Sequence, residues 1–345
     1  MKRSLITRFL TVVAGIAFSA LYGEAFALVT ITNGIYEVHI NDASGAGGNW
    51  NAVTGASHPT GAGNNLLYAG TTTTTNFSSL RIYSPTGGVT TYTFGGAAGA
   101  ISLGAPTSSG ASAFGNATNS YSQTWNVSGL QVTQDLVVVG SAYNDSAIYH
   151  TVDFVNNTNA QISFGWRNLY DWAVNSALGF DDGPANTIEI GGSVVVPHTT
   201  NEFGYVPQAG SYVRVTADPV PSGGAPYEPL LGLGYDPGFL AALPVTAPEL
   251  YDYVSWPNSV GTSFDYTVNG ASNVTGDSAG LSFFGATANS ALTLGVGQSL
   301  RITQTIYAVP PGGSVPGTVP EPATIALLGL GLAGIGFSRR KRAAR

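Results

Sequence analysis

Between Trp166 and Pro184 the chain gathers the side chains best suited to chemistry. The run Trp166-Arg167-Asn168-Leu169-Tyr170-Asp171-Trp172 is followed by Asp181-Asp182-Gly183-Pro184. Two binding chemistries fit these residue types. Asp171, Asp181 and Asp182 offer the hard carboxylate oxygens that Ca²⁺ takes, and Trp166 and Trp172 could form a platform for a sugar ring. A packing reading uses the same residues differently. Arg167 pairs with Asp171, Asp182-Gly183 makes a turn, and both indoles fill core. The packing reading is the stronger, because the aspartate spacing completes no EF-hand or calcium-repeat motif.

Other chemistries find less support. A glycosidase needs two carboxylates facing each other across a cleft, and seventeen acidic residues between Leu28 and Val319 make some such pair inevitable and therefore uninformative. His39, His58, His150 and His198 are scattered, without His-x-His or His-Glu-x-x-His spacing for zinc, and read as solvated or turn residues. No Gly-x-Ser-x-Gly elbow is present. No Gly-x-Gly-x-x-Gly or Walker loop follows a strand, despite 46 glycines. The reading is of a non-enzyme with no cofactor, Ca²⁺ being the one candidate. Asn76, Asn116, Asn126, Asn144, Asn156 and Asn273 head Asn-x-Ser/Thr triplets. These mostly reflect composition, but would accept glycans on an exposed surface.

The elements that must position these residues are strands. Leu28–Thr32 and Ile35–Ile40 flank Asn33-Gly34, a strong hairpin signal. Leu80–Tyr83 pairs with Val89–Phe94, Tyr121–Val127 with Leu130–Val139 across Ser128-Gly129, and Ala147–Val155 with Gln161–Trp166 across Asn156 to Asn159. Leu130, Val132, Leu136 and Val138 share one parity, which gives that strand one buried and one wet face. Ser211–Thr216, Phe264–Val268, Leu281–Phe284, Ala291–Val296 and Leu300–Val309 complete the predicted strands. Asn41–Asn65 and Gly95–Asn119 read as loops. Seven prolines between Thr216 and Leu250 predict a surface excursion without regular strands except at an edge. The body, residues 28–309, is therefore expected to be all-β: one large antiparallel β-sandwich or two smaller ones.

The body holds only four basic residues, Arg81, Arg167, Arg214 and Arg301, against seventeen acidic ones, a net charge of −13. Such a surface disfavours nucleic acid and anionic membranes as partners. Cysteine is absent, which excludes thiol catalysis and thiolate metal sites.

Both ends read as addresses. Lys2, Arg3 and Arg8 precede an apolar run from Phe9 to Leu21 and then Ala25-Phe26-Ala27, a signal peptide (residues 1–27, its apolar core helical) cut after Ala27. Residues 310–319 form a Pro/Gly spacer. Pro320-Glu321-Pro322 follows, then a 15-residue apolar segment, Ala323 to Phe337, as a short transmembrane helix. Arg339, Arg340, Lys341 and Arg342 open a basic stop, 339–345, that stays cytoplasmic by the positive-inside rule. This tail, 320–345, resembles the PEP-CTERM sorting signal of Gram-negative bacteria. The resemblance implies that an exosortase recognises the Pro-Glu-Pro motif and cleaves near it. It also implies that the protein passes through the inner membrane to the surface or medium. Association with exopolysaccharide is a further implication. The Arg-x-x-x-Asp and Asp-Gly pattern of residues 167–183 resembles, weakly, uncharacterised bacterial surface β-sandwiches.

These readings converge on an exported structural or interaction protein of the cell surface or extracellular matrix. Its partners would be signal peptidase, exosortase and an exopolysaccharide. A carbohydrate- or Ca²⁺-binding module centred on Trp166 to Asp182 is the alternative, and a polysaccharide-processing enzyme is third.

Overall fold

A computed structural model describes residues 28–42, 47–68, 75–95, 100–176, 179–181, 183–190, 193–216, 228–233 and 244–309. The signal peptide with Ala25 and Ala27, the spacer and sorting tail (310–345), Asp182 and most of the proline-rich excursion lie outside these residues.

Two large sheets face each other. The first runs β15 (Ser193–Thr199), β14 (Ala185–Ile190), β17 (Ser211–Thr216), β18 (Glu228–Gly232), β22 (Ser299–Val309), β10 (Ala147–Asn156), β9 (Leu130–Val139), β8 (Ser120–Val127), β7 (Ser108–Gly110). The second runs β16 (Phe203–Tyr205), β19 (Leu250–Ser255), β20 (Ser278–Phe284), β11 (Ile162–Trp172), β4 (Phe77–Tyr83), β5 (Val89–Phe94), β6 (Ile101–Ser102), with β21 (Leu292–Leu294) also on β11. A small sheet of β1 (Leu28–Thr32), β2 (Tyr36–Asn41) and β3 (Trp50–Thr54) joins one side, and β12 (Val174–Ser176) pairs with β13 (Gly179–Asp181). Among the described residues every strand pair is antiparallel except β5 with β6. The fold is all-β, a large antiparallel β-sandwich.

Local chemistry explains the hairpins. Asn33 Oδ1 accepts from the amides of Ile35 (3.0 Å) and Tyr36 (2.9 Å), while Gly34 takes φ +88°. The Asn33 amide also donates to Val139 O at 2.7 Å, tying this hairpin to the nine-stranded sheet. Ser128 (φ 53°) and Gly129 (φ 84°) supply the two left-handed residues of a tight turn between β8 and β9. Gly140, at the end of β9, has φ +93°, and a Cβ there would meet the backbone of Asp145 and, at 2.6 Å, Ser146 Cα. Gly140→Ala is therefore expected to cost about 2–4 kcal/mol, seen as a lower urea midpoint.

The core follows the strand parity. Leu130, Val132, Leu136 and Val138 are all buried. Val132, Val152, Phe154 and Ile302 of one sheet pack with Leu80, Phe94, Phe164 and Trp166 of the other. The rest of the interior joins Leu136, Ile148 and Ile306 to Tyr170, Trp172 and the small sheet's Ile31, Val38 and Trp50.

Several expectations are corrected. Trp50–Thr54 forms a strand inside the predicted Asn41–Asn65 loop, because Trp50 and Ala52 are buried against both sheets. Glu228–Gly232 is a strand despite Pro229, and an interior one, between β17 and β22. Its ladders are three and four residue pairs long, and Leu231 and Leu233 reach the core. Phe264–Val268 is no strand. It belongs to an irregular strap, residues 256–277, that begins with a one-turn helix Trp256–Val260 and covers the outer face of the eight-stranded sheet.

Candidate functional site

Strand β11 carries the residues singled out above, and its alternation splits them. Trp166, Asn168, Tyr170 and Trp172 point between the sheets; Arg167, Leu169 and Asp171 point outward. Trp166 packs on Phe94 (5.1 Å between ring centroids) and Phe154 (5.2 Å), and its Nε1–H donates to Asn168 Oδ1 at 2.7 Å. Trp172 stacks on Tyr170 at 5.7 Å and donates to the Tyr251 hydroxyl at 3.3 Å. Both indoles are 0 % exposed. A sugar needs an open ring face, so the stacking platform is corrected to core packing.

Asp171 is buried in β11, Asp181 lies in β13 opposite Val174, and Asp182 lies outside the described residues. Among the described residues no three His, Asp or Glu side chains are grouped to hold a metal. The expected Arg167–Asp171 pair is also corrected, because Arg167 reaches the strap instead. Its guanidinium donates to Thr262 Oγ1 (2.9 Å), Thr262 O (2.9 Å) and Phe264 O (3.0 Å). Burial, with the Arg81 charge second, lowers its pKa to about 9. Arg81 beside it holds Asp265 bidentately (2.6 and 2.7 Å) and lies 4.3 Å over the Phe264 ring.

The interior contains a second, unanticipated constellation. Gln134, His150 and Gln304 project from the nine-stranded sheet toward Ser78, Asn168, Tyr170 and Ser282 of the other, and all seven are buried. Gln304 Oε1 accepts from Asn168 Nδ2 (2.6 Å) and the Tyr170 hydroxyl (2.8 Å), while Gln304 Nε2 donates to Ser282 (2.9 Å). Ser78 donates to Asn168 Oδ1 at 2.8 Å. His150 lies 3.2 Å from both Gln134 Oε1 and the Tyr170 hydroxyl. Burial lowers its pKa to about 3, so it is neutral. Protonated on Nε2, it donates to Gln134, and its Nδ1 faces the tyrosine, whose one proton serves either Nδ1 or Gln304. His58 is buried as well, against Tyr36 and Tyr143, and burial lowers its pKa to about 4. His150 thus departs from the solvated or turn reading, whereas His58 lies in the turn after β3, its Nδ1 accepting from the Thr60 amide (3.2 Å), but is buried rather than solvated.

A general base must reach a substrate, and this chain of amides and hydroxyls has no face on solvent. It fixes the spacing and register of the two sheets instead. Its sequence signal is Gln134 among Leu130, Val132, Leu136 and Val138, and Gln304 among Leu300, Ile302 and Ile306: one polar residue on an otherwise apolar parity. The Asn-x-Ser/Thr triplets divide similarly. Asn76 and Asn156 are buried, with their amides donating to Trp50 O (2.8 Å) and to Ala160 O (2.8 Å), whereas Asn116, Asn126, Asn144 and Asn273 are exposed.

Comparison with known proteins places the C-terminus. Fold and tail together define an exported, sorted protein with an all-β body. Residues 318–342 match the PEP-CTERM protein-sorting motif, so the chain carries a PEP-CTERM sorting domain. No curated protein matches the chain. Among solved structures, a protein named for aldose 1-epimerase activity from Escherichia coli K12 is similar at 11 % identity and a TM-score of 0.49, over 83 % of this chain and 100 % of that one. A polysaccharide lyase is similar at 11 % identity and a TM-score of 0.43, over 81 % of this chain and 33 % of that one. A galactose mutarotase-related enzyme from Lactobacillus acidophilus is similar at 10 % identity and 0.43, over 81 % and 97 %.

Proposed function

We propose that this is a structural or interaction protein of the cell surface or extracellular matrix, associated with exopolysaccharide and delivered by an exosortase that reads Pro320-Glu321-Pro322. The sorting motif at 318–342 supports this reading most directly. The body agrees with it: a cysteine-free sandwich of this size buries a core large enough to fold after export without disulfide formation. Arg339 to Arg342 would hold the tail at the cytoplasmic face until cleavage.

The test is intact mass and location of the wild type and Glu321→Ala. The wild type is expected outside the cell or at its surface, starting at Leu28 and lacking the segment after the motif. The variant is expected to stay in the inner membrane with its tail intact. An uncut wild type that fractionates like the variant would leave a plain anchored protein and remove the exosortase from the account.

A further inference from the structure

Among the described residues the strap is held by Arg81 and Arg167, by backbone bonds of Thr200 and Glu202 to Val274 and Ser272, and by the Glu202 carboxylate, which lies beside a second acid. Glu202 stands just before β16, at the edge of the eight-stranded sheet, and is 2 % exposed. Its Oε1 accepts from the Tyr266 hydroxyl (2.8 Å) and the Ser255 amide (3.1 Å), and its Oε2 from the Asn269 amide (2.9 Å). Asp252, also 2 % exposed, lies in β19 with Gly204 as its register partner. A Cβ on Gly204 would fall 2.9 Å from Asp252 Oδ1 and 3.9 Å from Val268 Cγ2. The bare glycine thus makes room for the Asp252 carboxyl beneath the strap. Glu202 and Gly204, two residues apart on extended backbone, share a face. Glu202 is therefore the diagonal neighbour of Asp252 across the ladder, where like charges away from water repel strongly. Tyr266 of the strap is the other titratable group coupled to Asp252 on this face; Tyr251, next to it in β19, points between the sheets and bonds Trp172 and Asn186.

We propose that Glu202 and Asp252 form a proton-dependent catch on the strap. With a proton on Asp252 the strap is closed over Phe77, Leu169, Leu281 and Phe283. When that proton leaves, the Glu202 carboxylate is driven off its strap partners, the Asn269 amide and the Tyr266 hydroxyl, and the strap lifts. The two acids differ in which can yield. Asp252 sits in β19, which is hydrogen-bonded to β16 on one side and β20 on the other. Glu202 sits beside a three-residue edge strand, next to the Asn201–Asn273 bridge, where its amide donates to Ser272 O (3.0 Å) and Val274 donates to Thr200 O (2.8 Å). Burial, and then the Glu202 charge, pushes Asp252 up to about 7. The sign follows. Its folded-state affinity for a proton exceeds the ordinary carboxylate value, so the closed form keeps a proton that an opened form has lost. Stability of closure is full below the ordinary value, declines as pH rises through the window between the two, and is lost above about 7.

Hydrogen exchange on the full-length protein at about pH 5.5 and about pH 8.5, corrected for intrinsic rates, reads the catch. The Asn269 amide is expected to lose protection about tenfold at the higher pH, while β20 amides hold theirs. Asp252→Asn should keep Asn269 equally protected at both. Glu202→Gln removes the second cause and leaves burial, so it should shrink the response without abolishing it, and it serves if the first variant fails to fold. Equal protection of wild-type Asn269 at both pH values would overturn the proposal. So would a parallel loss in β20, a loss that survives in Asp252→Asn, or a loss undiminished in Glu202→Gln.

Discussion

Gln304→Leu is expected to lower the stability of the fold by about 3–5 kcal/mol. The substitution nearly conserves volume, so packing alone would forecast a small effect. The cost comes from what is stranded. Asn168 Nδ2 loses its acceptor and Ser282 its donor, while the Tyr170 hydroxyl is left with His150 Nδ1 as its acceptor. Each buried group left without a partner costs about 1–3 kcal/mol. Because Tyr170 also faces His150, the loss propagates to a second residue of the nine-stranded sheet. Chemical denaturation measures it directly. A change below about 1 kcal/mol would mean that the network relaxes or admits water and does not set the register of the sheets.

Arg167 gives the other large effect, and here the choice of replacement matters. Arg167→Ala opens a cavity under the strap and strands the carbonyls of Thr262 and Phe264, for an expected loss of about 3–5 kcal/mol. Arg167→Met should lose clearly less. It fills the space and removes a cation that is costly to bury, as the pKa lowered to about 9 indicates. Arg167→Lys should resemble alanine more than methionine, since an ammonium cannot reach three acceptors arranged for a planar fork. If methionine proved as damaging as alanine, the hydrogen bonds to the strap would outweigh the burial of the charge.

How much of this was legible in the sequence depends on how far apart the interacting residues lie. Asn33-Gly34 and Ser128-Gly129 announce their hairpins because a turn is decided by neighbouring residues. The parity of Leu130 to Val138 announces a buried face because alternation is a property of one strand. The Pro-Glu-Pro motif, apolar segment and basic cluster are read as a unit because they are contiguous. The interior network is different: Asn168 and Gln304 are 136 residues apart, and parity says only that each points inward, not what it meets. Arg167 is conspicuous in the sequence, but the partner its spacing offers is the nearest aspartate. On a strand Asp171 lies two pleats away, whereas the strap arrives from 95 residues downstream to offer backbone carbonyls. Trp50–Thr54 was hidden for a related reason, since a five-residue strand flanked by glycine and asparagine has little pattern of its own and is held by its surroundings.

Strand β22 lies between β18 and β10, joining the half of the nine-stranded sheet built from β14, β15, β17 and β18 to the half built from β7 to β10. It is also the last strand of the body, ending at Val309 just before the segment that leads to the sorting motif. The sheet cannot be completed until its final eleven residues have crossed the membrane. A pull on the tail would act along that strand and load its ladders in shear rather than peel them one rung at a time. A chain held by its C-terminus would thus be gripped through the middle of its nine-stranded sheet.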